Sequence, residues 1–135
     1  MSIAMNGVKL VVQDLDVAER FYRAIGFKVV SRNVGGEGNV SQEQCWLSAS
    51  GDTSANLLIL SRFLECPPSS WPVYPGEAWL VFTVSSVDAT VRAVEAQGGG
   101  ILRRGQDRPE HSVRAAVVSD PEGHVIEIVG PMGAS

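Results

Sequence analysis

Cys45 and Cys66 are the only cysteines in the chain, and so its only candidates for a thiolate nucleophile or a soft metal ligand. They stand far apart and outside any Cys-x-x-Cys spacing, which makes neither a zinc motif nor a disulfide framework. A reactive cysteine also needs a neighbour that lowers its pKa, and the sequence shows none, so both read as ordinary reduced thiols. The run GGEG beginning at Gly35 would cradle a phosphate only between a strand and a helix. It lacks that setting and reads as part of a mobile loop from Asn33 to Asn39, which argues against nucleotide binding. The longest basic run is the pair Arg103 and Arg104, while 11 Lys and Arg face 15 Asp and Glu, for a net charge of −4. Nucleic acid and anionic membranes call for a basic face, so neither is an expected partner.

Any chemistry therefore depends on what the fold brings together. The chain has 135 residues, 44% hydrophobic and only 19% charged, enough for one domain with a substantial interior and too few for a large multidomain enzyme. The start, Met1 to Met5, has no basic segment followed by an apolar core, and no stretch of about 18 apolar residues occurs, so a cytoplasmic location is expected.

A repeat organises the sequence. Val12 to Val30 lies over Val84 to Leu102, matching Val12 with Val84, Asp16 with Asp88, Arg20 with Arg92, Ala24 with Ala96 and Gly26 with Gly98. Each copy runs from an apolar strand through an acidic helix start, Asp16 or Asp88, into an amphipathic helix. Ala18, Phe21, Tyr22 and Ile25 form the apolar face of the first helix, and Val87, Val91 and Val94 that of the second. Gly26 and Gly98 are the expected left-handed stops. Three strands follow each helix: Lys28 to Arg32, Gln44 to Ala49 and Asn56 to Ser61, then Gly100 to Arg104, Val113 to Ser119 and Val125 to Gly130. Asp52 and Asp120 mark equivalent turns before the last strands. The reading is two βαβββ modules, residues 5–61 and 78–130, joined by a stiff linker at 62–77 that carries Pro67, Pro68, Pro72 and Pro75.

Two such modules, the first opened by VKLVVQDLDVAERFYRAIGF and the second closed by SDPEGHVIEIVGP, resemble the vicinal oxygen chelate superfamily of glyoxalases, bleomycin-resistance proteins and extradiol dioxygenases. The specific elements are Asp14, Leu15, Phe21, Tyr22, Gly26 and Phe27, and the turn Asp120, Pro121, Gly123 followed by Glu127. The resemblance implies an α+β fold in which tandem βαβββ modules curve a mixed sheet around a cavity. It also implies a homodimer.

Catalytic members of the family hold a divalent metal with residues from the first and last strands of both modules. Carried over, those positions are Gly7, Ile59, Trp79 and Glu127. Only Glu127 has a donor side chain, whereas a catalytic metal takes about three protein ligands, so the usual centre and any other cofactor are not expected. His111 and His124 are the only histidines. If Glu127 faces the cavity, alternation points His124 away, and both histidines read as surface or turn residues.

The same alternation turns Gly7, Lys9 and Val11, Leu57, Ile59 and Ser61, Trp79, Val81 and Thr83, and Val125, Glu127 and Val129 inward. It turns Leu10, Phe82 and Ile126 toward the helices. An apolar pocket with a few polar handles suits a small molecule. Trp79 stacks a planar guest or plugs the cavity. Trp46 and Trp71 line the same groove or pack in a strand and under the linker. Lys9 and Glu127 pair with each other or meet a charged ligand. Arg114 is a rim contact or a surface charge. The leading expectation is a bleomycin-resistance-like protein that binds a small aromatic molecule without a metal. The alternatives are a metal-independent isomerase, epimerase or lyase with Glu127 as general base, and a metal-dependent lyase or dioxygenase with altered ligands.

Overall fold

Each of the two helices starts at a side-chain cap and ends at a glycine that L side chains cannot easily replace. Helix α1 (Leu15–Ala24) is capped by Asp14, whose carboxylate accepts from the Val17 amide at 3.1 Å, and α2 (Val87–Ala96) by Ser86, whose hydroxyl accepts from Ala89 at 3.2 Å. Asp16 and Asp88, expected at the helix starts, lie two residues further in. There they favour the helix dipole and remain available to arginines from the sheets. Gly26 and Gly98 stop the helices at φ 126° and 85°, in the left-handed region.

The computed structural model describes residues 2–65 and 78–133, and the chain divides into two compact units, Met1–Val73 and Tyr74–Ser135. The first contains β1 (Gly7–Val11), α1, β2 (Lys28–Gly35), β3 (Gln42–Ser48) and β4 (Leu57–Phe63). The second contains β5 (Leu80–Thr83), α2, β6 (Gly100–Arg108), β7 (Val113–Ser119) and β8 (Val125–Gly130). Each unit is one four-stranded mixed sheet, in the orders β1-β4-β3-β2 and β5-β8-β7-β6. In each, the first and last strands are parallel neighbours and the other pairs are antiparallel. These are the two βαβββ modules expected from the repeat.

Several expected boundaries move; β3 runs from Gln42 to Ser48 rather than from Gln44 to Ala49, and β4 starts at Leu57 rather than Asn56. Strand β2 runs through Asn33 and Val34 to Gly35, so half of the expected loop is strand, and a single 3₁₀ turn follows at Gly38–Val40. Strand β4 extends to Phe63 and β6 to Arg108, past the expected ends at Ser61 and Arg104. In β2 and β6 pairing with a neighbouring strand outweighs weak local strand propensity, and in β4 Arg62 and Phe63 pair with Glu43 and Gln42 of β3. The remainder of the proline-rich linker, with Cys66 and Trp71, lies outside the described residues.

The helices cover one face of each sheet. In the first unit α1 packs on β3 and β4 through Leu15, Ala18, Phe21 and Tyr22, all buried. Tyr22 meets Phe21 and Phe27 edge-on, at centroid distances of 5.0 and 6.1 Å. In the second unit Val87, Val91 and Val94 of α2 meet Ala116, Val118, Ile126 and Ile128, all buried. An ion-pair network locks α1 to its sheet: Arg32 on β2 reaches Glu19 at 2.9 Å, Asp16 at 3.4 Å and Glu43 at 3.1 Å. Arg114 on β7 does the same for α2, meeting Asp88 at 3.0 Å and Asp107 at 3.2 Å.

Beneath Arg32, the buried Cys45 thiol donates to Glu19 at 3.3 Å. Burial, and then the bond to the Glu19 carboxylate, push that thiol up to about 12. Burial also opposes ionisation of Glu19, but its hydrogen bonds from Arg32 and Cys45 and the charge of Arg32 outweigh this and hold it below the usual carboxylate range.

Candidate functional site

Strand alternation in the second unit separates a helix-facing set from an open set. On β8, Ile126 and Ile128 are buried under α2 while Val125, Glu127 and Val129 are half-buried on the other face. On β7, Ala116 and Val118 are buried and Val113, Ala115 and Val117 take the open face. The open residues floor a concave cavity of about 640 Å³. Trp79, half exposed, stands at one side and Leu102 at another. A rim of Arg103, Arg108, Glu110 and His111 comes from β6 and the 3₁₀ turn Pro109–His111. Ser112 then takes a left-handed φ of 57° and turns the chain into β7.

Register fixes the polar groups on this floor. Glu127 lies opposite Val117, and Val117 lies opposite Arg103 on its other side, so the three form one row across the sheet, which Val81 extends beyond Glu127. Glu127 thus sits among valines, with Val125 and Val129 two residues away on its own strand. The side chains of Glu127, Arg103, Arg108, Glu110 and His111 have no hydrogen-bond or ion-pair partner among the described residues.

The corresponding face of the first sheet is organised differently. Trp46 Nε1 donates to Gln44 Oε1 at 2.8 Å, and Gln44 Nε2 and Lys9 Nζ donate to Gln42 Oε1 at 3.2 and 3.0 Å. Register puts Trp46, Gln44 and Gln42 opposite Ile59, Ser61 and Phe63. The side chains on this face satisfy one another, except for the fully buried Ser61 hydroxyl, which has no partner among the described residues.

The sequence-derived candidates therefore separate. Trp79 and Glu127 come together at the cavity, with Trp79 at its side. Lys9, Trp46 and Ile59 belong to the first sheet and are not among the described residues that line the cavity. Lys9 meets Gln42. Arg114, read as a rim contact or a surface charge, is turned away from the cavity: it shares the parity of Ala116 and Val118, and its guanidinium is tied to α2 through Asp88, which holds its pKa above the usual value. His124 is the expected turn residue, with Nδ1 2.7 Å from Asp120 Oδ2. Asp120 Oδ1 meanwhile accepts from the Glu122 and His124 amides at 2.9 and 3.0 Å. The rim residues Arg103, Arg108 and Glu110 are not among the expected site residues: Arg103 lies within the expected strand but reads there only as part of a basic pair, while Arg108 and Glu110 lie beyond its expected end at Arg104. His111 was read as a surface residue and stands, exposed, at the cavity mouth.

The donor set does not fit the metal that the fold implies. Gly7, Ile59 and Trp79 have no suitable side-chain donor, and no group of three or more His, Cys, Asp or Glu residues suited to an ion occurs among the described residues. At Gly7 the misfit is steric as well, since a Cβ there would run into the Leu57 carbonyl of the adjacent parallel strand.

Two βαβββ units in one chain, the second with a cavity on the open face of its sheet, define a class, and comparison with known proteins identifies it. Residues 4–128 match the Glyoxalase/Bleomycin resistance protein/Dioxygenase superfamily, and the chain belongs to that family. Among solved structures it is similar to a glyoxalase family protein from Bacillus cereus, with 24% identity, TM-score 0.80, and coverage of 98% of this chain and 97% of that one. It is also similar to TioX from Micromonospora sp. ML1, with 25% identity, TM-score 0.65, and coverage of 96% and 99%. A glyoxalase I mutant from Zea mays shares 22% identity at TM-score 0.73, with coverage of 92% of this chain and 44% of that one. No curated protein matches the chain.

Proposed function

We propose that this protein binds a small planar organic molecule in the cavity of its second unit, without a metal centre. The observation that carries the reading is the cavity itself, about 640 Å³ with a floor of Val113, Ala115, Val117, Val125 and Val129 and an indole at its side. Ligand sites typically occupy about 300–1,000 Å³ and combine apolar lining with a few orienting polar groups. Such a site needs affinity and shape, which the floor and Trp79 supply.

The test is a panel of aromatic natural products and antibiotics, read by the indole N–H resonance of Trp79, assigned by its loss in Trp79→Phe. At least one compound is expected to shift that resonance and the methyl resonances of Val117 and Val125. A panel that leaves all of them unmoved removes the proposal.

Glu127 supports a second reading, proton abstraction in a metal-independent isomerase or lyase step, because its carboxylate stands on an apolar floor with no partner among the described residues. A substrate turned over equally well by Glu127→Gln would exclude it.

A further inference from the structure

We infer that the ligand is an aromatic acid that also carries a hydrogen-bond donor, with its acid group on the β6 edge of the cavity and its donor at Glu127. This rests on the cavity reading above and specifies the chemistry of what enters it.

Opposite charges stand on opposite sides of one apolar strip. Arg103, Val117 and Glu127 share a cross-strand row. With strands about 4.8 Å apart, the backbones of Arg103 and Glu127 are roughly 9–10 Å from each other. Both side chains line the cavity, yet they do not meet. Arg108, half-buried, and His111 add to the basic edge, and Glu110 is the acidic group among them.

The arginines elsewhere in the sheets give the contrast. Arg32, Arg62 and Arg114 each hold a carboxylate within 3.5 Å, while the three arginines of β6, Arg103, Arg104 and Arg108, hold none among the described residues, and of these Arg103 and Arg108 line the cavity. Arg103 is exposed and keeps its hydration, whereas Arg108, half-buried, has lost part of its own without an anion to offset the loss. A planar acid restores the missing pair with bidentate geometry. Its ring covers Val117 and the neighbouring valines, and a hydroxyl or amine on its far side donates to the Glu127 carboxylate. A rigid bicyclic body that holds its acid and its donor on opposite sides suits the strip.

The experiment uses three bicyclic probes, 6-hydroxy-2-naphthoate, its neutral amide 6-hydroxy-2-naphthamide, and 6-methoxy-2-naphthoate, which keeps the acid and lacks the donor. Titration calorimetry at low and high salt compares the full chain with Arg103→Gln, Arg108→Gln, the double variant, Glu127→Gln and Trp79→Ala. The arginine side chains hold nothing else in the described structure, so unchanged urea midpoints are the expected folding control.

The hydroxynaphthoate should bind on the order of tenfold or more tightly than the amide, the usual scale of a hydrogen bond to a charged group. That preference should shrink at high salt and vanish in the double variant. The methoxy compound should bind more weakly than the hydroxy compound, and Glu127→Gln should narrow the gap. Equal binding of acid and amide, both lost in Trp79→Ala, overturns the acid-and-donor inference and leaves the cavity reading standing. No binding of any probe, with a silent Trp79 resonance across the wider panel, overturns both.

Discussion

Cys45 should be almost inert in the folded protein, and the structure gives the scale. Its thiol is fully buried, and burial with the Glu19 hydrogen bond moves it from the ordinary 9.0 to about 12. Only the thiolate attacks a disulfide reagent. At pH 8 the upward shift lowers the thiolate population about a thousandfold relative to an unfolded chain, before steric exclusion is counted. The assay is reaction with an aromatic disulfide at pH 8, in native buffer and in guanidinium, on a Cys66→Ser variant so that one thiol is followed. Labelling of the folded protein should run at least a thousandfold slower and track the urea dependence of unfolding. The pH dependence has a definite sign. Below about 9 the thiol is protonated in both states and its contribution to stability is complete. Between about 9 and 12 the unfolded chain releases its proton first, so stability falls as pH rises. Folded protein that reacted within about tenfold of the unfolded rate would refute the account of the Cys45, Glu19 and Arg32 cluster.

Other outcomes follow from single contacts. After incubation with zinc, nickel, manganese or ferrous iron and dialysis, the chain should retain no stoichiometric metal by plasma mass spectrometry. Gly7→His should not create a site, and should lower the urea midpoint by the equivalent of about 1–3 kcal/mol, because its Cβ meets the Leu57 carbonyl. Ser61→Ala should leave stability unchanged or raise it by up to about 1 kcal/mol in urea unfolding, since it removes a buried hydroxyl with no described partner. Asp120→Ala should cost about 2–3 kcal/mol in the same assay, because two turn amides and the His124 ring lose their acceptor.

The architecture was legible because it is written twice. Val87, Val91 and Val94 needed only a helical period to be placed in a core, and Gly26 and Gly98 only their position after the last apolar residue. Strands β7 and β8 have the expected bounds because each is a short, mostly apolar run set off by turn residues. Strand β6 outruns its expected end because Gly105 and Asp107 are poor strand residues, and pairing of Gln106, Asp107 and Arg108 with β7 carries the strand past the register shift at Gly105. The expected end at Arg104 leaves Arg108 off the strand. The direction of Arg114 is not legible from composition, because Ala115 and Val117 on one face of β7 match Ala116 and Val118 on the other, and only its ion pair with Asp88 fixes it toward α2. The caps Asp14 and Ser86 differ in type between the two copies, so the repeat marks the aligned Asp16 and Asp88 inside each helix and not the caps. The network joining Trp46, Gln44, Gln42 and Lys9 depends on side-chain geometry that no periodicity encodes.

Register turns the duplication into an argument about which copy carries the site. Lys9 pairs with Ile59 and Val81 pairs with Glu127, so these pairs occupy equivalent places in the two parallel ladders. Trp46 lies opposite Ile59 as Val117 lies opposite Glu127, which makes Trp46, Gln44 and Gln42 the counterparts of Val117, Ala115 and Val113. In the first module that stripe is large and polar, and its members bond to one another. In the second it is small and apolar, and a cavity lies above it. The unpaired polar groups follow the same division, with Ile59 replaced by Glu127 and Ser31 by Arg103. A face whose side chains satisfy each other has little left with which to recognise a guest, whereas one with an apolar floor between separated charges has both area and orientation to offer. Exchanging Val117, Ala115 and Val113 for Trp, Gln and Gln should therefore abolish binding while preserving the fold. If binding survived that exchange, the site would have to lie away from the second sheet.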